Sequence, residues 1–154
     1  MNESATDRET VHASCVAIEG RAVLLCGVSG SGKSDLALRL LDRGAAPISD
    51  DYTELRRHED RLIGSAPASI NGKIEVRGVG IIEWTALSEA PIVLCVVLDE
   101  PIERIPEDPL PCRLFLGIGI PVLSINALEA SAPIKVELAL HRLVDTGHDR
   151  EEGR

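Results

Sequence analysis

Aromatic side chains are scarce in this sequence, which holds one Trp, one Tyr and one Phe among its 154 residues. A core must therefore be built from aliphatic residues, and enough are present because 44% of the chain is hydrophobic. The scarcity also argues against a protein that binds single-stranded nucleic acid, because such proteins stack bases on exposed aromatic rings.

Positive charge is the second deficit. The chain has 16 basic and 25 acidic residues, and its formal net charge is −9. A protein that binds the phosphate backbone of nucleic acid usually shows the opposite balance. We therefore expect no nucleic-acid partner, although a local anion site built from backbone N–H groups is compatible with an acidic chain.

Cysteine pairs of the C-x-x-C type and long apolar runs are also missing. The four cysteines are Cys15, Cys26, Cys95 and Cys112. Most of them lie in apolar runs, which is typical of buried free thiols in a reducing compartment. No signal-peptide pattern opens the chain, and no apolar run reaches the roughly 18 residues of a membrane span. The sequence therefore predicts a cytoplasmic protein without a membrane partner.

The length of the chain suits one domain. Residues 1–9 are polar and are predicted to form a disordered tail, and residues 146–154 are predicted to form a charged C-terminal tail. Residues 10–145 are predicted to form the domain, because no linker, repeat or low-complexity tract divides them.

Hydrophobic periodicity predicts an α/β fold with a mixed sheet. Ala22–Cys26 and Ile92–Leu98 are continuous apolar runs, which is typical of strands buried on both faces. Ser34–Arg43 has apolar residues at helical spacing and ends at Gly44, and Pro133–Asp145 predicts a closing helix. Further strands or hairpins are predicted in Thr10–Ile18, Pro47–Asp51, Tyr52–Gly64, Glu75–Ile82 and Val122–Ile125.

A phosphate-binding loop is the strongest motif. The pattern G-x-x-x-x-G-K-[ST] is met at every position by Gly27, Val28, Ser29, Gly30, Ser31, Gly32, Lys33 and Ser34. An apolar strand precedes this segment, here called the P-loop, and an amphipathic helix follows it. The glycines turn successive N–H groups toward phosphate oxygens, Lys33 reaches the β- and γ-phosphates, and Ser34 offers a hydroxyl to Mg²⁺. The motif predicts a nucleoside triphosphate site without naming the reaction.

Other polar residues are candidates for the chemistry. Asp50 and Asp51 close a short strand, where one carboxylate can support Mg²⁺ and another can accept a proton from an attacking hydroxyl. Neighbours on an extended strand point to opposite faces, so the two are not expected to share one task. His12 lies on the strand before the P-loop strand, and Glu75 shares a strand face with Arg77, which suits an anionic, metal-bound site. The alternatives are an acidic turn, a structural histidine and a solvated strand face.

Taken together, these segments resemble the catalytic domain of the bacterial HPr kinase/phosphorylase family. The matching stretches are Val11-His12, the P-loop, Leu36-Ala37-Leu38 through Arg43-Gly44, Ser49-Asp50-Asp51 and Ile74-Glu75-Val76-Arg77-Gly78-Val79-Gly80-Ile81-Ile82. They run in the family's order. The last stretch is similar to the family's signature and is far more specific than the P-loop.

The resemblance implies a single P-loop kinase domain similar to the fold of phosphoenolpyruvate carboxykinase. The implied activity is phosphorylation of a serine on the phosphocarrier protein HPr, with ATP and Mg²⁺, in control of the phosphotransferase system or of carbon and nitrogen signalling. The implied catalytic residues are His12, Lys33, Asp51 as the base, and a late arginine, for which we select Arg113 over Arg104. The implied metal ligands are Ser34 and Glu75, with Asp50 in support. A homo-oligomer is also expected.

The chain departs from the family at Ala13, where the family usually has Gly after the histidine, and in two further respects. The family has a larger N-terminal domain, so we expect a short form that holds the catalytic domain alone. The family's late loop carries basic residues tied to the reverse reaction, phosphorolysis of phosphoserine, whereas the stretch Asn126–Pro133 has no Lys or Arg. We therefore expect little or no phosphorylase activity. The alternative functions are a small-molecule kinase, which would need an arginine-rich lid, and a nucleotide-regulated binding module without transfer chemistry.

Overall fold

The fold is a mixed β-sheet with helices on one face in the computed structural model, which describes residues 7–67 and 72–152, with side chains as far as residue 145. The strands are β1 (Arg8–Val11), β2 (Ala13–Ile18), β3 (Arg21–Cys26), β4 (Ala46–Ser49), β5 (Thr53–His58), β6 (Arg61–Ser65), β7 (Lys73–Val76), β8 (Gly80–Glu83), β9 (Glu89–Val97), β10 (Cys112–Phe115) and β11 (Ile118–Ser124). The helices are α1 (Lys33–Asp42) and α2 (Ala132–Glu152). Neither of these described helices is long and apolar enough to cross a membrane.

The strand that leads into the P-loop lies in the middle of the sheet. The order of the main sheet is β1-β5-β6-β9-β3-β2-β4, and β7 and β8 form a separate hairpin. β3 is parallel to β9 and antiparallel to β2, so the sheet is mixed, as predicted. Because parallel strands end at the same edge, the residues that follow β3 and β9 are neighbours.

Strand β9 joins different parts of the sheet. Glu89–Pro91 pair with β6, and Cys95–Val97 pair with β11 on the edge opposite β3. β11 in turn forms a hairpin with β10. β9 therefore holds the β5–β6 hairpin and the β10–β11 hairpin on the same strand that flanks the P-loop strand.

Helix α1 begins directly after the P-loop glycines and stops at a glycine. Its N-cap, Gly32, has a φ of 101° and makes no side-chain cap, so the first N–H groups of the helix are directed at the loop. At the other end, the N–H of Gly44 donates to the carbonyl of Leu41 at 3.0 Å, and that of Ala45 to Leu40 at 3.1 Å. This Schellman motif confirms Gly44 as the predicted helix stop.

Successive side chains of β3 point to opposite faces of the sheet, so the strand contributes to two hydrophobic cores. Val23 and Leu25 pack in the core that includes α1 and α2, whereas Ala22 and Leu24 pack in the core on the other face. All four side chains are fully buried. Burial of one such Val or Leu stabilises the fold by about 1.5–3 kcal/mol. The P-loop therefore starts from a strand that is fixed on both faces.

The domain ends differ from the sequence prediction. Arg8 and Glu9, assigned to the tail, lie in β1, which is held by antiparallel pairing with β5. The predicted strand Thr10–Ile18 is broken at His12, because β1 pairs with β5 whereas β2 pairs with β3. Helix α2 continues to Glu152, past the expected boundary at residue 145. Residues 1–6 and 153–154 of the expected tails lie outside the described residues.

Candidate active site

Two glycines of the P-loop have neighbours so close that no side chain would fit. A Cβ on Gly27 would collide with the hydroxyl of Ser31, and a Cβ on Gly32 would lie 2.8 Å from the Cβ of Ala127. A left-handed φ of 101° at Gly32 further disfavours any other residue. Within the described part of the chain, the buried Ser31 hydroxyl has no hydrogen-bond partner. These contacts explain why glycine occupies both positions.

Lys33 is buried within the loop although it is charged. Only 7% of the residue is exposed. Its Nζ donates to the carbonyl of Gly27 and, at 3.1 Å, to that of Val28. Because an ammonium group has three donors, one N–H is left for an anionic ligand.

A cavity of about 870 Å³ lies between the P-loop, α1 and the β7–β8 hairpin. The predicted site residues that line it are Ser29, Gly30, Gly32, Lys33, Ser34, Asp50, Asp51 and Glu75. Gly27, Val28 and Ser31 are not among its lining residues. The structure thus brings most of the predicted phosphate, metal and base residues to one cavity.

Asp50 and Asp51 lie in a bend after β4 rather than on the predicted strand, because β4 ends at Ser49. The Oγ of Ser14 donates to Oδ1 of Asp50 at 3.3 Å and accepts the N–H of Asp51 at 3.3 Å. Asp51 has a φ of 71°, in the left-handed region that Asp tolerates better than most residues. Both aspartates line the cavity, and the extended strand on which their expected opposite orientation rested ends at Ser49.

His12 reaches the cavity through Asp51. Its Nε2 lies 3.0 Å from Oδ1 of Asp51, and its ring centroid lies 5.0 Å from that of Tyr52. The Oγ1 of Thr53 donates to the carbonyl of Ala13 at 2.7 Å, which joins the two chain segments beside this pair. His12 therefore orients the Asp51 carboxylate and does not itself line the cavity.

Glu75 and Arg77 also line the cavity. Glu75 lies in β7, where it pairs with Ile81 of β8, and Arg77 begins the turn between these strands. The exposed residues of β7 alternate with half-buried Ile74 and Val76, of which Ile74 packs against the helix-side core. The packing of Ile74 therefore fixes β7 beside the cavity that the P-loop also lines.

Asp99 is a site residue that the sequence analysis missed. Its Oδ2 accepts the N–H of Val28 at 3.0 Å, so a carboxylate at the end of β9 fixes the start of the P-loop. The sequence did show an acidic residue directly after the apolar run Ile92–Leu98. What the sequence did not show was that β9 lies beside β3.

Arg39 is a second residue that was missed. It lies on α1 and donates to the carbonyls of Ala127 and, at 2.8 Å, Glu129. Its Nε also lies 3.0 Å from Asp35, in an ion pair that is not aligned as a hydrogen bond. Because Ala127 packs on Gly32, Arg39 holds the 126–131 loop against the P-loop. No local sequence pattern marks this contact.

Arg113 lies apart from the cavity residues. It is on β10, and its Nη2 donates to Oε2 of Glu100 at 3.3 Å. It is not among the residues that line the cavity. Its catalytic role stays a prediction that no contact in the described residues supports.

The site suits a metal that arrives with the nucleotide. Among residues 7–67 and 72–145, no group of three or more His, Cys, Asp or Glu side chains is placed to hold a metal ion. Ser34, Asp50 and Glu75 nevertheless line the same cavity as the P-loop. In nucleotide sites, Mg²⁺ is commonly held by one or two protein groups together with phosphate oxygens. The residues present therefore fit ATP and Mg²⁺ bound together.

Comparison with known proteins decides the family. Residues 3–94 match the model of the HPr Serine kinase C-terminal domain. The chain belongs to this family. The matched HPr serine kinase segment contains the P-loop, Asp50, Asp51 and the β7–β8 hairpin.

Relatives of this HPr serine kinase domain are longer. The HPr kinase/phosphorylase of Caldanaerobacter subterraneus is 36% identical over 97% of this chain and 54% of the relative. That of Geobacillus thermodenitrificans is 47% identical over 54% of this chain and 28% of the relative. The chain thus spans about half the length of the Caldanaerobacter relative. The match to the Geobacillus relative covers only about half of this chain.

A solved structure shows the same fold. The HPr(Ser) kinase/phosphatase from Coxiella burnetii matches 94% of this chain and 97% of its own, with a TM-score of 0.77 and 29% identity. The family and the α/β fold with a mixed sheet, both predicted from the sequence, are confirmed.

Proposed function

We propose that this chain is an ATP-dependent protein kinase that phosphorylates a serine on an HPr-like phosphocarrier protein. The observation that carries the proposal is that one cavity holds both Lys33 of the P-loop and Asp51, whose carboxylate is paired with His12. A phosphate cradle opposite a positioned carboxylate is what transfer to a hydroxyl requires. The names of the relatives, which refer to HPr, supply the acceptor.

The nucleotide would be held by backbone and lysine contacts. The N–H groups of the P-loop and of the first turn of α1 donate to the phosphate oxygens. Lys33 donates its remaining N–H to the transferred phosphate and adds positive charge in a partly buried site. Asp99 and Arg39 keep the loop in place from its two ends.

Asp51 would act as the base. As the serine oxygen attacks the γ-phosphorus, its hydroxyl proton moves to the Asp51 carboxylate, and ADP leaves. His12, at 3.0 Å from one carboxylate oxygen, holds the group in one orientation. Asp50 is held by the Ser14 hydroxyl and is proposed to support the metal instead.

Ser34 and Glu75, with Asp50 in support, are the residues proposed to hold Mg²⁺. When bound, the metal neutralises charge on the β- and γ-phosphates. The chain's own contribution is to bring a hydroxyl from α1 and a carboxylate from β7 to one cavity. A catalytic role for Arg113, a homo-oligomeric assembly and a cytoplasmic location complete the proposal.

The test is incubation of the full chain with γ-labelled ATP, Mg²⁺ and HPr from the same cell. Label on a serine of HPr, absent when that serine is replaced by alanine, supports the proposal. ATP binding without transfer to HPr, or transfer to a small molecule of a cell extract instead, would contradict it. Light scattering and cell fractionation test the assembly and the location.

A further inference from the structure

Two cysteine side chains meet directly under the P-loop. Cys26 is the last residue of β3, and its Sγ lies 3.4 Å from the Sγ of Cys95 on β9. The register pairs Leu24 with Cys95 and Cys26 with Val97, so the cysteines are diagonal neighbours across two parallel strands. Both side chains belong to the core on the sheet face away from the helices.

The two thiols differ in access to solvent and in charge. Cys95 is fully buried, whereas Cys26 is partly exposed. The pKa of Cys26 is lowered chiefly by its hydrogen bond with the Cys95 thiol, and nearby Arg113 and Lys33 act in the same direction. The pKa of Cys95 is raised by that same bond and by burial. Cys26 is therefore the better nucleophile, and Cys95 is the thiol placed to form a disulfide with it.

We propose that Cys26 and Cys95 form a peroxide-sensitive thiol pair that closes to a disulfide and thereby disables the P-loop. The Cys26 thiolate attacks one oxygen of a hydroperoxide, so that an S–O bond forms, the O–O bond breaks and water (or an alcohol) leaves after protonation. Cys95 then attacks the Cys26 sulfenic acid, forming the S–S bond and releasing water with its own proton. For hydrogen peroxide, the two thiols give one disulfide and two molecules of water.

Disulfide formation must move the start of the P-loop. The sulfurs have to approach from 3.4 Å to about 2.05 Å, the length of a disulfide bond. Both strands are paired along both edges, but Cys95 lies inside β9 whereas Cys26 is the last residue of β3, so the displacement falls mainly on Cys26, the residue before Gly27. The neighbouring contacts would be strained as well, because the carbonyl of Cys26 accepts the N–H of Leu98 at 2.9 Å and Val28 donates to Asp99. A misplacement of about 1 Å in such a site can lower a transfer rate about 10²-fold.

The first test needs no variant. The full chain is treated with hydrogen peroxide, quenched with an alkylating reagent, and analysed by intact mass and peptide mapping without reductant. The expected product is a monomer that has lost two hydrogens, with Cys26 linked to Cys95. ATP binding, followed by isothermal titration, should fall at least about tenfold and return after dithiothreitol. This readout depends on the nucleotide site alone, so it stands whether or not HPr is the acceptor.

Variants separate the roles of the thiols. In Cys95→Ala, Cys26 has no partner, so the same peroxide dose should add oxygen atoms to it that dithiothreitol removes only in part. Cys112→Ser alters an exposed cysteine elsewhere and should leave the cross-link unchanged. Three results would overturn the proposal: oxygen addition without a cross-link in the native chain, a cross-link through Cys112, or an oxidised chain that binds ATP as the reduced chain does.

Discussion

The Nε2 atom of His12 lies 3.0 Å from the Oδ1 atom of Asp51, and the two residues come from opposite sides of the sequence segment that forms the P-loop and α1. His12 stands in the break between β1 and β2, and Asp51 stands in the bend that follows β4. The pair fixes one carboxylate of the cavity while the neighbouring Asp50 is bound to Ser14. This difference in partners is the basis for the separate roles proposed for the two aspartates.

Asp51→Asn should abolish base catalysis while keeping the backbone, because Asn also tolerates a left-handed φ. We expect the rate of transfer to HPr to fall about 10²–10⁴-fold with little change in ATP affinity. His12→Gln should give a smaller loss through poorer orientation of Asp51. Phosphotransfer and ATP titration measure the two effects. A harmless Asp51→Asn together with an inactive Asp50→Asn would reverse the assignment.

Lys33→Ala should remove phosphate binding, because its ammonium group is the buried cation of the P-loop. Loss of one such electrostatic contact typically lowers turnover by about 10²–10³-fold. Lys135→Ala is the matched control, since Lys135 pairs with Glu129 on the surface and lies outside the cavity lining. Circular dichroism of both variants checks the fold. Equal turnover of a folded Lys33→Ala and the native chain would remove the P-loop lysine from the mechanism.

Gly32→Ala and Gly20→Ala separate backbone strain from crowding. Both glycines have a positive φ, but only a Cβ at Gly32 meets another residue, Ala127, at 2.8 Å. A left-handed alanine costs about 1–2 kcal/mol, so Gly20→Ala should lose that much stability in urea unfolding and Gly32→Ala at least that much. Only Gly32→Ala should also lose ATP affinity, because its methyl group pushes the 126–131 loop off the P-loop. Equal ATP affinities would show that this contact is not needed.

The pH dependence of alkylation reports on the thiol pair. The hydrogen bond with Cys95 lowers the pKa of Cys26, so the Cys26 thiolate forms at lower pH than the thiolate of an ordinary cysteine. Iodoacetamide should therefore modify Cys26 at lower pH than it modifies free cysteine. In Cys95→Ala the lowering bond is gone and burial dominates, so the profile should move to higher pH. Mass spectrometry of the Cys26 peptide gives the rates; coincident profiles would contradict the pairing.

The reverse reaction should be slow. Phosphorolysis brings inorganic phosphate up to a phosphoserine, and this repulsion is usually offset by Arg or Lys. In the 126–131 loop the nearby cations are already engaged, since Arg39 donates to Glu129 and Ala127 carbonyls and Lys135 pairs with the Glu129 carboxylate. Incubation of phosphoserine-HPr with Mg²⁺ and phosphate should release pyrophosphate far more slowly than ATP is used forward. Comparable rates would show that another cation has taken the role.

The P-loop could be predicted from the sequence because its chemistry is local. Eight consecutive residues, an apolar strand and an amphipathic helix specify the loop, and the structure has each of them. The Gly44 helix stop is local in the same way. The β5–β6 and β7–β8 hairpins could also be predicted from local sequence, because their turns lie between short polar and β-branched runs.

Contacts between distant residues could not be read from local patterns. Arg39 meets the 126–131 loop across about 90 residues of sequence, and no periodicity connects the two. Asp99 gained its role because β9 adds in parallel beside β3, which is a choice of topology. Asp51 was assigned through the family resemblance, and its local backbone differs from the prediction because a left-handed bend replaced the expected strand.

Strand β9 has a consequence for how the molecule unfolds. It pairs with β3 on one edge and with β6 and β11 on the other, and Asp99 follows two residues after its end. Melting of β9 would release both hairpins, strip the main support from the P-loop strand and expose both cores at once. We therefore expect the P-loop to lose its structure together with the rest of the domain, in one cooperative unfolding transition.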